Sequence, residues 1–262
     1  MYAWEYSSGA IPWETDEPIE VSLYPLGGVL VSVTFGKRVA ALSIRIESEL
    51  GLRVFGREAA RDLADKVTDR LALEFDLALD PLVPVLEQLD EERAVQSFPI
   101  RSYVGQAPPS TAALLALVGR GWGQESGPLA AACHIYREAK ATHDLIARFI
   151  LQWSLLVMLN AGSEHQADES VSRAFPEIPQ VVSRARNGRT ITQVLDVRDS
   201  IAHMVRHSSE GGLSVPALRE RVRSALPFLE STLSDAVRPL LGEDSGSVEQ
   251  AHQADAHEVE ST

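Results

Sequence analysis

Asp199, His203 and His207 are spaced by four within Ile191–His207 (ITQVLDVRDSIAHMVRH). Drawn as a helix, that spacing places a carboxylate and two imidazoles on one face. Asp199 then accepts a hydrogen bond from His203, which fixes the imidazole tautomer and favours its charged form. Arg198 precedes Asp199, and Arg206 lies three residues after His203. Two guanidiniums and an imidazole around one anionic group suit RNA cleavage by the neighbouring 2′-hydroxyl. That reaction needs a proton carrier working near neutral pH and a cation to stabilise the charged phosphorane. The plainer alternative is a charged helix face with a structural His–Asp pair. Spacing alone leaves both open.

The surrounding segments must position this set. Val194, Leu195, Ile201, Ala202 and Val205 form an apolar stripe for the same helix. Asn187-Gly188 makes a turn before it, Thr190 can cap it, and Gly211-Gly212 ends the region. Ser214, with Pro216 in the first turn, opens a last helix to about Leu241. Upstream, Thr111–Val118 reads as a short helix. A long helical pattern then runs from about Pro128 to Asn160, with Cys133, Tyr136, His143, Ile146, Ile150, Trp153 and Val157 along one stripe. His143 there fits a hydrogen-bonded core or interface histidine better than a ligand. Ala161–Asp168 reads as a polar loop and Val171–Phe175 as a single helical turn, closed by Pro176 and Pro179.

The first part of the chain has a different pattern. Ile19–Tyr24 and Val29–Phe35 alternate apolar with small polar residues around the turn Pro25-Leu26-Gly27-Gly28, and Ala40–Glu47 repeats the alternation. Three such strands imply an antiparallel meander covered by a helix. Arg57–Leu77 supplies the helix, with Asp62, Asp65, Lys66, Asp69 and Arg70 as its wet side. Asp62 and Asp65 have no third convergent ligand and read as solvated rather than metal-binding. Pro81 and Pro84 break regularity, Phe98–Val104 reads as a further strand, and Gln106-Ala-Pro-Pro-Ser110 marks a domain boundary. The expected class is α+β: a strand-rich module over residues 1–105, a helical domain over 111–241, and an acidic disordered tail over 242–262.

Charge and composition narrow the function. The net charge of −13 argues against broad nucleic-acid coating. It is unevenly placed: the tail holds six carboxylates and no Lys or Arg, whereas residues 182–241 hold nine Arg against six Asp and Glu. Cys133 is the sole cysteine, which excludes an intrachain disulfide and a cysteine zinc cluster and suits a cytoplasmic location. MYAWEYSSGA lacks a secretory signature, and the apolar run Phe149–Leu159 is too short for a membrane span. Gly119-Arg-Gly-Trp-Gly123 follows no strand and reads as a loop, and His252 and His257 as solvated tail residues. No cofactor or metal is expected.

The segment Leu195-Asp-Val-Arg-Asp-Ser-Ile-Ala-His203 resembles the signature of HEPN domains: Arg, a polar residue, three more positions, then His. The match is best to the branch in which Ala precedes the His. The resemblance spans roughly residues 111–241 and implies a four-helix bundle that forms a homodimer, two copies composing one RNase cleft. Carried over, Arg198 would bind or polarise the phosphate, Asp199 would orient, and His203 would be the acid–base group. Arg206 and His207 fall outside the signature and are added, as substrate-binding residues, from helical spacing. The expected function is a metal-independent endoribonuclease, of the kind found in defence proteins. Many HEPN domains keep the fold without nuclease activity, so a non-catalytic dimerisation or scaffold protein is the competing expectation. A looser resemblance to the MauJ-like family makes a metabolic accessory role the third.

Overall fold

The computed structural model describes residues 1–8, 18–35, 42–89, 92–95, 109–183, 186–206 and 214–241, with the backbone alone at 92–95 and 203–206. The expected strand Phe98–Val104, the Gly211-Gly212 terminator and the acidic tail with His252 and His257 lie outside the described residues. The chain is α+β and divides into two compact units, Met1–His143 and Asp144–Thr262.

The first unit is built on a six-stranded antiparallel sheet. Its strands are β1 (Tyr2–Ser8), β2 (Ile19–Leu26), β3 (Val29–Phe35), β4 (Leu42–Ser48), β5 (Val83–Leu89) and β6 (Glu92–Val95), in the order β2-β3-β4-β1-β5-β6. The β2–β3–β4 meander follows from the alternation, and Gly28 turns the first hairpin at φ 76°. Val31, Val33, Ile44 and Ile46 are fully buried on one face. Helix α1 (Arg57–Glu74) covers that face with Ala60, Leu63, Ala64, Val67 and Leu71. Each such aliphatic side chain contributes about 1.5–3 kcal/mol by leaving water.

Three strands, β1, β5 and β6, were not expected. Tyr2, Trp4 and Tyr6 alternate as a strand should, and β1 pairs with β4 on one side and β5 on the other. In β5, Pro84 is tolerated because the β1–β5 register shifts between Glu5 and Tyr6, while β6 pairing begins only at Leu86.

Helices α2 (Thr111–Gly119) and α3 (Gly127–Ala141) also belong to this unit, so the second unit begins later than residue 111. Trp122, in the turn between them, donates its indole N–H to the Val67 carbonyl at 2.8 Å. Helix α3 packs on α1 and buries Asp69 and Arg70, which the sequence pattern places on the wet side. Arg137 reaches Asp69 at 2.8 Å and His134 Nδ1 reaches it at 3.1 Å. Arg70 bonds Glu74 at 3.1 Å. Asp62 and Asp65 face Lys66 and Arg61, each pair 2.8 Å apart.

The second unit holds α4 (Leu145–Leu159), α5 (Glu164–Ala174), the hairpin β7 (Gln180–Ser183) and β8 (Arg189–Thr192), α6 (Gln193–Arg206) and α7 (Val215–Val237), closed by a 3₁₀ turn, Arg238–Leu241. The long pattern from Pro128 to Asn160 is thus two helices. The break falls at Thr142–Asp144 because Asp144 caps α4, accepting from the Ile146 and Ala147 N–H groups at 3.0 and 2.9 Å. Ser163 likewise caps α5, which replaces the expected loop and single turn. Phe149, Leu156, Val171, Leu195, Leu229 and Leu233 are buried in this unit, and Phe175 meets Phe228 edge-on at 5.1 Å. No single helix among the described residues is long and apolar enough to cross a membrane.

Candidate active site on helix α6

The hairpin sets where α6 starts. Asn187 and Gly188, both at positive φ, turn β7 into β8, as their types predict. Thr190–Thr192 stay extended, so the helix opens at Gln193 rather than at Ile191. Thr192 takes the capping role expected of Thr190: its hydroxyl accepts from the Leu195 N–H at 3.4 Å. Asp168 of α5, buried at 4% exposure, anchors this corner. Its Oδ1 accepts from the Thr192 N–H at 3.2 Å and from the Thr192 hydroxyl at 2.6 Å.

From Gln193 the chain is helical through Arg206, so Arg198, Asp199, His203 and Arg206 share one helix. Val194, Leu195, Val197 and Ile201 are buried and seat it against the unit. Across the contact with α7, Arg221 bonds Asp196 and donates to the Ser200 hydroxyl at 3.0 Å.

Asp199 is buried, and its carboxylate is held by two guanidiniums. Arg186 donates from Nε to Oδ2 at 2.7 Å and from Nη2 to Oδ1 at 2.8 Å; Arg198 donates from Nη1 to Oδ1 at 3.0 Å. Burial pushes the Asp199 carboxyl up, but the Arg186 and Arg198 hydrogen bonds outweigh it and hold it below the usual range. Arg186 is raised in turn, chiefly by its hydrogen bond to Asp199. Glu164, the first residue of α5, closes the cluster. It meets Arg186 Nη2 at 2.9 Å and Arg198 Nη2 at 2.5 Å. Two carboxylates and two guanidiniums therefore balance.

A carboxylate offers about four lone-pair positions, and three on Asp199 are used by arginines. The Asp199–His203 hydrogen bond expected from spacing lies outside the described residues, as do the side chain of Arg206 and all of His207. Arg198 keeps 36% of its side chain exposed, so one cation of the cluster reaches solvent.

Sequence reasoning missed Arg186 and Glu164. Arg186 sits in the hairpin loop and shares no helical period with α6, so nothing local ties it to Asp199. Glu164 was within reach: Ser163 followed by Glu164 is a helix-start pattern, and reading it so gives α5 in place of a loop.

No protein-family model, curated protein or solved structure matches the chain.

Proposed function

We propose that the second unit is a HEPN-like domain that cleaves RNA without a metal, acting as a cytoplasmic homodimer through α6. The observation that carries this reading is the fixing of Asp199 by Arg186 beside a solvent-reaching Arg198, one helical turn before His203. Arg186 supplies a second cation that spacing does not reveal. His203 takes the proton of the ribose 2′-hydroxyl, and that oxygen bonds to phosphorus. The bond from phosphorus to the 5′-oxygen breaks, and the 5′-oxygen leaves with the proton that His203 now carries. Arg198 stabilises the charge that builds on the phosphorane, and Arg206 and His207 are assigned, from helical spacing, to binding flanking phosphates.

The test is cleavage of diverse single-stranded RNAs by the purified protein in EDTA. The expected products carry 2′,3′-cyclic phosphate and 5′-hydroxyl ends, and His203→Ala and Arg198→Ala each abolish them without loss of fold. Cleavage that survives both substitutions removes α6 from the chemistry.

A specific observation favours a second reading, a non-catalytic scaffold. Glu164 and Asp199 neutralise both guanidiniums, so a phosphate must displace a carboxylate to bind. A folded homodimer that neither cuts nor binds RNA supports that reading.

A further inference from the structure

Three guanidiniums lie where α5 meets the β7–β8 hairpin and α6. Arg186 and Arg198 are each held by Glu164 and Asp199. Arg189, the first residue of β8, is placed differently: among the described residues it meets no carboxylate. Its Nη2 instead bonds Nδ1 of His165, the second residue of α5. His165 follows Glu164 in the chain, so this pair borders the Asp199 cluster.

The type of each group fixes the protons. A guanidinium has five N–H donors and no acceptor. The ring nitrogen it meets must offer a lone pair, so His165 Nδ1 carries no proton in this arrangement. The proton of the neutral ring sits on Nε2, which lies 3.2 Å from Oε1 of Glu169, one turn along the same helix. Glu169 orients the imidazole through one nitrogen and Arg189 through the other. The His165 and Glu169 side chains are each 53% exposed, so the corner opens to solvent.

A proton added to His165 changes what this corner can hold. Nδ1 then carries a hydrogen facing Arg189, and two cationic donors stand opposed. Their charges repel, and neither supplies the acceptor that the other needs. A phosphate oxygen meets both needs, through charge-assisted hydrogen bonds from the guanidinium and the imidazolium. The charge balance agrees. At Arg186 and Arg198 an anion must displace Glu164 or Asp199. At Arg189 it displaces no carboxylate, because Glu169 is on the other nitrogen of the ring. With His165 neutral, Arg189 and Glu169 cancel; with His165 protonated, one positive charge is left over.

We infer that Arg189 and His165 form a phosphate-binding site on the second unit, which closes on a phosphate group as His165 takes up a proton. An imidazole changes charge between about pH 5 and 8, so occupancy rises toward the acid end of that range. The groups that set the response are Arg189 from β8, Glu169 from α5 itself, and the adjacent Glu164 with its partners Arg186 and Arg198. The phosphate belongs either to an RNA backbone or to a small phosphorylated molecule. The first source rests on the nuclease reading; the site itself does not.

The test follows the ¹H NMR signals of His165 in the full chain from about pH 5 to 8 at matched ionic strength. The sequence has seven histidines, and the signals of this one are assigned by their loss in His165→Gln. The probes are inorganic phosphate at up to about 10 mM and a single-stranded oligonucleotide with 2′-O-methyl groups, which cannot be cut. Each probe is expected to move the His165 midpoint to higher pH, and Arg189→Gln is expected to cancel the move. Oligonucleotide affinity near the acid end should fall about fivefold or more in either variant, and for His165→Gln the gap to wild type should close as the pH rises. A midpoint that neither probe moves overturns the site. So does a move of the same size in Arg189→Gln. If phosphate moves the midpoint and the oligonucleotide does not, the site stands for small phosphorylated molecules and its RNA source falls. If both probes move it while unmodified RNA stays uncut, the site stands and the nuclease reading falls alone.

Discussion

Arg186 grips Asp199 at two points, Nε to Oδ2 at 2.7 Å and Nη2 to Oδ1 at 2.8 Å, from a hairpin loop onto the middle of α6. Planar donors matched to a carboxylate in this way give direction as well as strength. The contact ties the turn between β7 and β8 to the helix that bears the candidate site, and several consequences can be measured.

Arg186→Met keeps the length of the side chain and removes both donors. The buried Asp199 is left with Arg198 alone, and the expected loss is about 1–3 kcal/mol in denaturant unfolding near neutral pH. The pH dependence has a definite sign. Asp199 has a folded value below its ordinary 3.8, so its stabilisation is complete above that pH and is lost as the pH falls through the folded value. The gap between wild type and Arg186→Met should therefore narrow only in acid below about 3.8. A gap of constant size through that range would show that the pair does not titrate with folding.

Glu164→Gln removes one negative charge from the cluster and leaves two guanidiniums facing one carboxylate. Both Glu164 and Arg198 are partly exposed, so the stability change should stay within about 1 kcal/mol. If α6 engages RNA, affinity for a single-stranded oligonucleotide should rise by about threefold or more, with a steeper dependence on salt. Equal affinity at every salt concentration would favour the scaffold reading over the nuclease.

Asp168→Ala leaves the Thr192 N–H and hydroxyl without their shared acceptor at a buried corner. A loss of about 1–3 kcal/mol is expected. The same change should speed hydrogen exchange at Leu195, whose N–H depends on the Thr192 hydroxyl. Exchange at Leu195 that matches wild type would mean the cap is held by other contacts.

How much of this was open to sequence reading varies with the range of the signal. The meander was legible because Val31, Val33, Ile44 and Ile46 alternate strictly against one buried face. The last helix was legible from Ser214 and Pro216, and the hairpin turn from Asn187 and Gly188. Helix α5 was not, because its eleven residues include few apolar ones and its polar majority resembles a loop. The split between α3 and α4 was hidden because the apolar period runs on across the capped break at Asp144. For the candidate site, the helix and the Arg198–Asp199 adjacency follow from local pattern. Arg186 and Glu164 reach it through tertiary packing, and no local period encodes that.

Cys133 offers a check on the first unit. It is 1% exposed, and burial pushes its thiol up to about 12. Only the thiolate attacks disulfide reagents, so the native protein should resist DTNB on the time scale in which a free thiol reacts. Full labelling is expected once denaturant unfolds the unit. Rapid stoichiometric labelling of native protein would mean that the packing of α3 on α1 does not keep Cys133 from solvent.

The place of β1 in the sheet bears on the order in which the first unit assembles. Trp4 stands opposite Ile46 on one side and Glu87 on the other, so β1 is a central strand of the sheet. The β2–β3–β4 hairpins close short loops and can zip early. The two β1 pairings bring together segments far apart in the chain and bear a larger loop-closure entropy. Until β1 docks, β4 presents an open edge, and the aliphatic face carrying Ile44 and Ile46 lacks its neighbour. During synthesis, β1 emerges before β5 and must wait for it before its second edge is covered. A nascent chain is most open to edge-to-edge association in that interval, and raising or lowering the speed of β1 docking sets how long the interval lasts.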